Sequence, residues 1–153
     1  ASKSRGLGDV YKRQLIRSSS KIAKIKIEVN NKTRIEEFLG DGCLIATPAG
    51  SSAYNLSLRG PVIPVGAKVL ALTPISPYRP RRWRGALLNN DAKITLYAID
   101  SKLRPVRAEA DFMQFENIDR LEIELEKKLF VNLLFDPGHD LEERIINEQF
   151  NNS

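Results

Sequence analysis

The sequence predicts a mainly β domain made of hairpins, with one short helix after Gly50 and a second helix at the C-terminus. Three observations carry this expectation. Apolar and polar residues alternate through Ile25–Val29, Ile94–Ala98 and Leu121–Leu125, the period of strands with one wet face. Turn-forming residues separate the apolar runs: Asn30-Asn31, Gly40-Asp41-Gly42 and the prolines at 74, 77 and 80. Helical spacing is confined to Leu141–Phe150, where Asp140 can cap the first turn and Ile145 and Ile146 turn inward.

Residues 4–14 come first and fit no element. They keep neither a two-residue nor a 3.6-residue period, and they resemble the conceptual translation of a sequencing adapter. Residues 1–14 are therefore set aside as a non-native segment, and 15–153 are taken as one domain. Lys3, Arg5, Lys12 and Arg13 against Asp9 account for +3 of the formal net charge of +5, leaving +2. A near-neutral remainder gives little reason to expect a nucleic-acid partner, whose binders concentrate positive charge on one face. About 140 residues suffice for a single core that buries roughly two-thirds of the unfolded surface.

Residues 22–38 read as a hairpin: Ile25, Ile27 and Val29 alternate with Lys26 and Glu28, Asn30-Asn31 tolerate positive φ, and Thr33–Phe38 returns. Next comes a short apolar run, Cys43–Ala46, between Gly40-Asp41-Gly42 and Thr47-Pro48-Ala49-Gly50. This is the pattern of strand, tight turn, then helix. Gly50 permits positive φ, and Ser51 or Ser52 can cap a helix starting near Ala53. Unpaired N–H groups beside small hydroxyls suit a phosphate, a ribose or an amide. A Gly/Ser turn of this kind serves equally often as plain punctuation. No lysine follows Gly50, which excludes the phosphate loop of common NTPases, and the glycines lack dinucleotide-fingerprint spacing.

Residues 74–85 read as an extended, proline-rich loop in which Arg79, Arg81, Arg82 and Arg84 surround Trp83. Such a cluster either meets nucleic acid or packs its arginines over an aromatic. Val106–Ala110 is a further short strand, and Leu129–Phe135 pairs back on Leu121–Leu125 through Glu126-Lys127-Lys128. The carboxylates at 122, 124 and 126 form a solvated face. Cys43 lies in an apolar run and reads as a buried, inert thiol. His139 has no clustered partners, so no metal site is expected. There is no membrane-length apolar run or visible signal peptide, and a single cysteine suits a cytoplasmic protein with no membrane partner.

Asp41-Gly42, then Thr47-Pro48-Ala49-Gly50-Ser51-Ser52-Ala53-Tyr54-Asn55-Leu56-Ser57, Gly60-Pro61 and Leu72-Thr73-Pro74, resembles the NAD kinase family. The tail from Leu134-Phe135-Asp136-Pro137 to Phe150 is similar to its alphaproteobacterial branch, and the resemblance covers Leu15–Phe150. It implies the β-rich C-terminal domain of an NAD kinase, without the preceding α/β domain. The implied activity is transfer of the γ-phosphoryl of ATP, or of polyphosphate, to the 2′-hydroxyl of the adenosine ribose of NAD. The implied NAD-binding residues are Asp41, Ala49, Ser52, Ala53, Tyr54, Asn55, Leu56 and Ser57, with Ser76 and Tyr78 near the adenine. The family's base belongs to a Gly-Gly-Asp-Gly motif that this chain does not contain, so no catalytic residue is expected here and the chain alone should be inactive. Mg²⁺ would accompany ATP, bound mainly by the missing domain, and a homo-oligomer, dimer or tetramer, is expected. The alternatives are a non-enzymatic basic β-rich module for nucleic acid and a lipid kinase of the diacylglycerol kinase type.

Overall fold

The computed structural model describes residues 2–5, 12–48, 60, 63–64, 66–110, 113–125, 146 and 150. Among them eleven strands form two sheets. The strands are β1 (Ser2–Arg5), β2 (Lys12–Arg17), β3 (Ala23–Val29), β4 (Lys32–Gly40), β5 (Gly42–Ala46) and β6 (Val69–Ile75), followed by β7 (Ala86–Asn89), β8 (Ile94–Ala98), β9 (Val106–Ala110), β10 (Met113–Phe115) and β11 (Arg120–Glu124). One sheet has the order β1-β11-β8-β3-β4 and the other β10-β9-β2-β5-β6-β7. All pairings are antiparallel except β1 with β11. The mainly β class is as expected.

The alternating strands explain the sandwich. Along β3 every second residue is buried, so Ala23, Ile25 and Ile27 face inward with Ile94 and Leu96 of β8 and Leu121 and Ile123 of β11. Leu15, Cys43, Ile45, Leu70, Leu72, Val106 and Ala108 of the second sheet belong to the same core cluster. Two apolar faces are thereby removed from water together, the usual way a sheet satisfies its apolar side. Ala46, Ala71 and Ile63 form a smaller buried cluster.

The wet face of the first sheet is as the alternation indicated. Tyr97 lies between two cations, with Lys26 Nζ 5.1 Å and Arg120 Cζ 5.4 Å from its ring centroid. Its hydroxyl donates to Glu28 at 3.2 Å, and Glu122 pairs with Arg120 and with Lys93. Glu28 pairs with Lys26 and Glu122 with Arg120, each along its own strand, so these carboxylates are engaged in ion pairs and not poised as an acid–base pair.

The hairpin at 22–38 forms between β3 and β4, with Asn30 and Asn31 at φ 52° and 63°. Two consecutive positive φ values match the twist of the flanking strands, which is why Asn residues serve there. The proline-rich loop begins later than expected, because Pro74 and Ile75 still belong to β6. Pro74 opposes Cys43 of β5, beyond the point where β7, paired only with Val69–Leu72, could use an N–H from it.

Two expectations need correction. Lys12, Arg13 and Gln14, set aside as non-native, lie in β2 and pair with both β5 and β9; Arg13 and Gln14 are buried. Residues 2–5 form β1. Weak local periodicity hid both strands, because their register is supplied by partners distant in the chain. Ile146, expected to turn inward, is 43% exposed, and Phe150 is 81% exposed; both are in helical conformation. Glu126–Lys128, the expected strand Leu129–Phe135, His139, Asp140, Ile145 and the short helix after Gly50 lie outside the described residues. Among the described residues no helix is long and apolar enough to cross a membrane.

Candidate functional site

Asp41 sits where the chain leaves the first sheet at the end of β4 and enters the second at the start of β5. The flanking glycines make this corner possible. A Cβ on Gly42 would lie 2.0 Å from the Leu15 carbonyl oxygen, so only glycine lets β5 approach β2 this closely. A Cβ on Gly40 would meet the Phe38 ring at 2.5 Å and the Ile75 carbonyl oxygen at 3.1 Å.

Backbone bonds pin Asp41 from both sides. Its N–H donates to Ile75 at 2.9 Å, and its carbonyl accepts from the Arg17 N–H at 2.8 Å. The Arg17 side chain donates Nε to Asp41 Oδ1 at 2.7 Å, with both side chains about one-third exposed. Arg17 is fixed in turn by its Nη1 bond to the Ser19 carbonyl and by Arg107 Nη1, which donates to the Arg17 carbonyl at 2.9 Å. Among the described residues only Oδ1 of Asp41 is engaged. A carboxylate accepts several hydrogen bonds, so the remaining lone pairs can take N–H or O–H donors from a ligand.

The loop after β6 is fastened to the same corner. Tyr78 and Arg79 donate their N–H groups to the Leu39 carbonyl at 2.7 and 3.1 Å, and the Leu39 N–H donates to the Arg79 carbonyl at 2.7 Å. Ser76 and Tyr78 are thus held beside Asp41, although 35 residues or more separate them in sequence. Both are exposed, and Ser76 has φ 46°. Left-handed backbone at a serine costs energy and persists only where surrounding bonds fix it, as they do here. Three of the ten expected site residues, Asp41, Ser76 and Tyr78, therefore come together. Ala49, Ser52, Ala53, Tyr54, Asn55, Leu56 and Ser57 lie outside the described residues.

Sequence reasoning missed Arg17, which lies 24 residues from Asp41 with no shared motif to link them. Cys43, two residues from Asp41, is fully buried and its thiol is pushed well up by desolvation, which makes it inert as a nucleophile. No group of three His, Cys, Asp or Glu residues suited to a metal ion occurs among the described residues. Trp83 packs edge-on against Phe38, ring centroids 5.8 Å apart and planes at 75°, so it faces the core edge while Arg79, Arg81, Arg82 and Arg84 stay exposed.

Residues 12–114 match the ATP-NAD kinase C-terminal domain family. An NAD kinase of Cereibacter sphaeroides is 50% identical over 151 residues, covering 95% of this chain and 59% of that protein. An NAD kinase of Hyphomonas neptunium is 49% identical over 136 residues, covering 89% and 53%. The chain thus spans a little over half the length of these relatives. In fold it is similar to yeast NADH kinase complexed with NADH, with TM-score 0.74, 24% identity and coverage of 93% and 42%. It is also similar to an NAD kinase from Archaeoglobus fulgidus in complex with ATP, with TM-score 0.75, 20% identity and coverage of 91% and 53%. The match begins at residue 12, within β2, where the structure also places the start of the second sheet's central strands. The chain belongs to the ATP-NAD kinase C-terminal domain family.

Proposed function

We propose that this chain is the dinucleotide-holding part of an NAD kinase, a phosphotransferase that moves the γ-phosphoryl of ATP, or of polyphosphate, to the 2′-hydroxyl of the adenosine ribose of NAD. The observation that supports it most is the Asp41 corner, where a one-third-exposed carboxylate, with lone pairs unused among the described residues, lies beside the Ser76–Arg79 loop within a family of this name. Phosphoryl transfer depends on positioning and charge neutralisation, and the part assigned to these residues is positioning. Asp41 accepts hydrogen bonds from an amide or ribose hydroxyl, and Arg17 keeps its carboxylate aimed. Ala49 and Ser52–Ser57 supply N–H groups, hydroxyls and the Tyr54 ring, and Ser76 and Tyr78 flank the adenine.

Mg²⁺ bound with ATP would screen the phosphates. Among the described residues no group of three metal-ligating side chains occurs, and in this reading the ion is bound mainly by the rest of the enzyme. The sequence also contains no Gly-Gly-Asp-Gly segment to supply a base for the ribose hydroxyl. A cytoplasmic homo-oligomer completes this reading. The nucleic-acid alternative retains the exposed arginines but loses its aromatic platform, because Trp83 is turned toward Phe38.

Two measurements on the 153-residue chain test the proposal. Calorimetry should show saturable NAD binding that is weakly dependent on salt, whereas a phosphate-backbone binder would lose affinity steeply. Incubation with ATP, Mg²⁺ and NAD should yield no NADP. Absence of NAD binding would remove the dinucleotide assignment, and NADP above the enzyme-free control would refute the inactivity of this chain.

A further inference from the structure

β9 buries Val106, Ala108 and Ala110, and so presents Arg107 and Glu109 side by side on the other face of the second sheet. Residues two apart on a strand share a face, and here the side chains meet: Arg107 Nε donates to Glu109 Oε1 at 2.8 Å. Gln14 of β2 stands directly opposite Glu109 in the register and donates its Nε2 to the other carboxylate oxygen. Both oxygens of Glu109 are therefore engaged, one from its own strand and one from the neighbouring strand. A carboxylate tied in this way has little freedom to swing, and it fixes the guanidinium that it holds.

From that fixed position Arg107 reaches β2. Its Nη1 donates to the Arg17 carbonyl at 2.9 Å, while the following N–H, that of Ser18, donates to the Pro105 carbonyl at 2.8 Å. The peptide after Arg17 is thus held at both ends by β9 and the residue that precedes it. On its other side the Arg17 N–H donates to the Asp41 carbonyl at 2.8 Å. With its backbone held on both sides, Arg17 delivers its side-chain Nε to Asp41 Oδ1 at 2.7 Å. Each arginine keeps a separate acid, Arg107 with Glu109 and Arg17 with Asp41.

We propose that Arg107, held by Glu109, is a positioning residue of the Asp41 corner: it fixes the Arg17 backbone and, through Arg17, the direction of the Asp41 carboxylate. Its effect on dinucleotide affinity passes through Asp41. This rests on the reading of that corner as the dinucleotide site, and it extends the site's support to β9.

Arg107→Lys keeps the charge but offers a single nitrogen, which cannot hold the Arg17 carbonyl and Glu109 in fixed directions at once. In heteronuclear NMR of the full chain, hydrogen exchange of the Arg17 Nε–H, identified by its absence in Arg17→Ala, should quicken by about threefold or more in Arg107→Lys. Calorimetry should show NAD binding weakened by about threefold to tenfold, the value of one hydrogen bond. In an Asp41→Asn background the same substitution should change NAD affinity by less than about twofold, because residues that act through one group are not additive. Glu109→Gln keeps the outline of the side chain and removes its charge. As the milder second variant it should move both readouts the same way, by up to about fivefold, and it serves where Arg107→Lys fails to fold. Unchanged exchange of the Arg17 Nε–H would overturn the proposal. So would an equal loss of NAD affinity in the parent and Asp41→Asn backgrounds, the mark of a merely structural part. Absence of NAD binding by the parent chain is a different outcome: it would remove the dinucleotide reading, while the exchange rates still decide whether Arg107 positions Arg17.

Discussion

In the β3–β4 hairpin, the two residues of the turn supply nearly everything the turn needs, whereas the Asp41 corner borrows its geometry from three distant segments. Asn30 and Asn31 adopt positive φ themselves, and the strands on either side pair with each other. Asp41 is placed by Arg17 of β2, Ile75 of β6 and, through Leu39, the Tyr78–Arg79 backbone. The hairpin is a local solution and the corner a collective one. A collective corner holds a side chain more rigidly, which is what a binding site requires, but it also fails more completely when one contributor changes.

Gly42→Ala should have the largest effect. Its methyl group would collide with backbone, the Leu15 carbonyl at 2.0 Å, and backbone cannot rotate away as a side chain can. A loss of about 3 kcal/mol or more is expected in urea unfolding, from forced separation of β2 and β5. Asn31→Val tests the local turn and should cost about 1–2 kcal/mol, the price of a left-handed β-branched residue. Asn31→Gly should change stability by only a few tenths of a kcal/mol, because the Asn-Gly pair it creates is well suited to this turn. If Gly42→Ala cost no more than Asn31→Val, the distinction between the corner and the hairpin would collapse. Arg17→Ala should also have a small effect on stability, below about 1 kcal/mol, since the ion pair is one-third exposed and solvent screens it.

The contrast also explains what the sequence could disclose. The hairpin, β8, β9 and β11 were legible because alternation and turn residues are written locally. Cys43–Ala46 was recognisable as a strand, but nothing local showed that Gly42 is needed for contact with Leu15. β2 was obscured because its N-terminal half, Lys12–Gln14, carries no apolar alternation, and its strand character comes from pairing with β5 and β9. β7 and β10 are three- or four-residue edge strands, too short to leave a periodic signature. Asp41, Ser76 and Tyr78 were singled out through the family resemblance. Their proximity rests on the Leu39 bridge, a backbone feature no residue type announces.

The central claim is that the Asp41 corner, and not the hairpin, holds the dinucleotide. It is tested most directly by NAD calorimetry on the chain and on Asp41→Asn and Asn31→Gly, with thermal unfolding as a control. Asp41→Asn keeps the shape of the side chain and removes its charge. It should weaken NAD binding by roughly 1.5–3 kcal/mol, the range for a hydrogen bond to a charged group, while unfolding shifts little. Asn31→Gly should bind NAD as the parent does. Equal NAD affinity for the parent chain and Asp41→Asn would contradict the account.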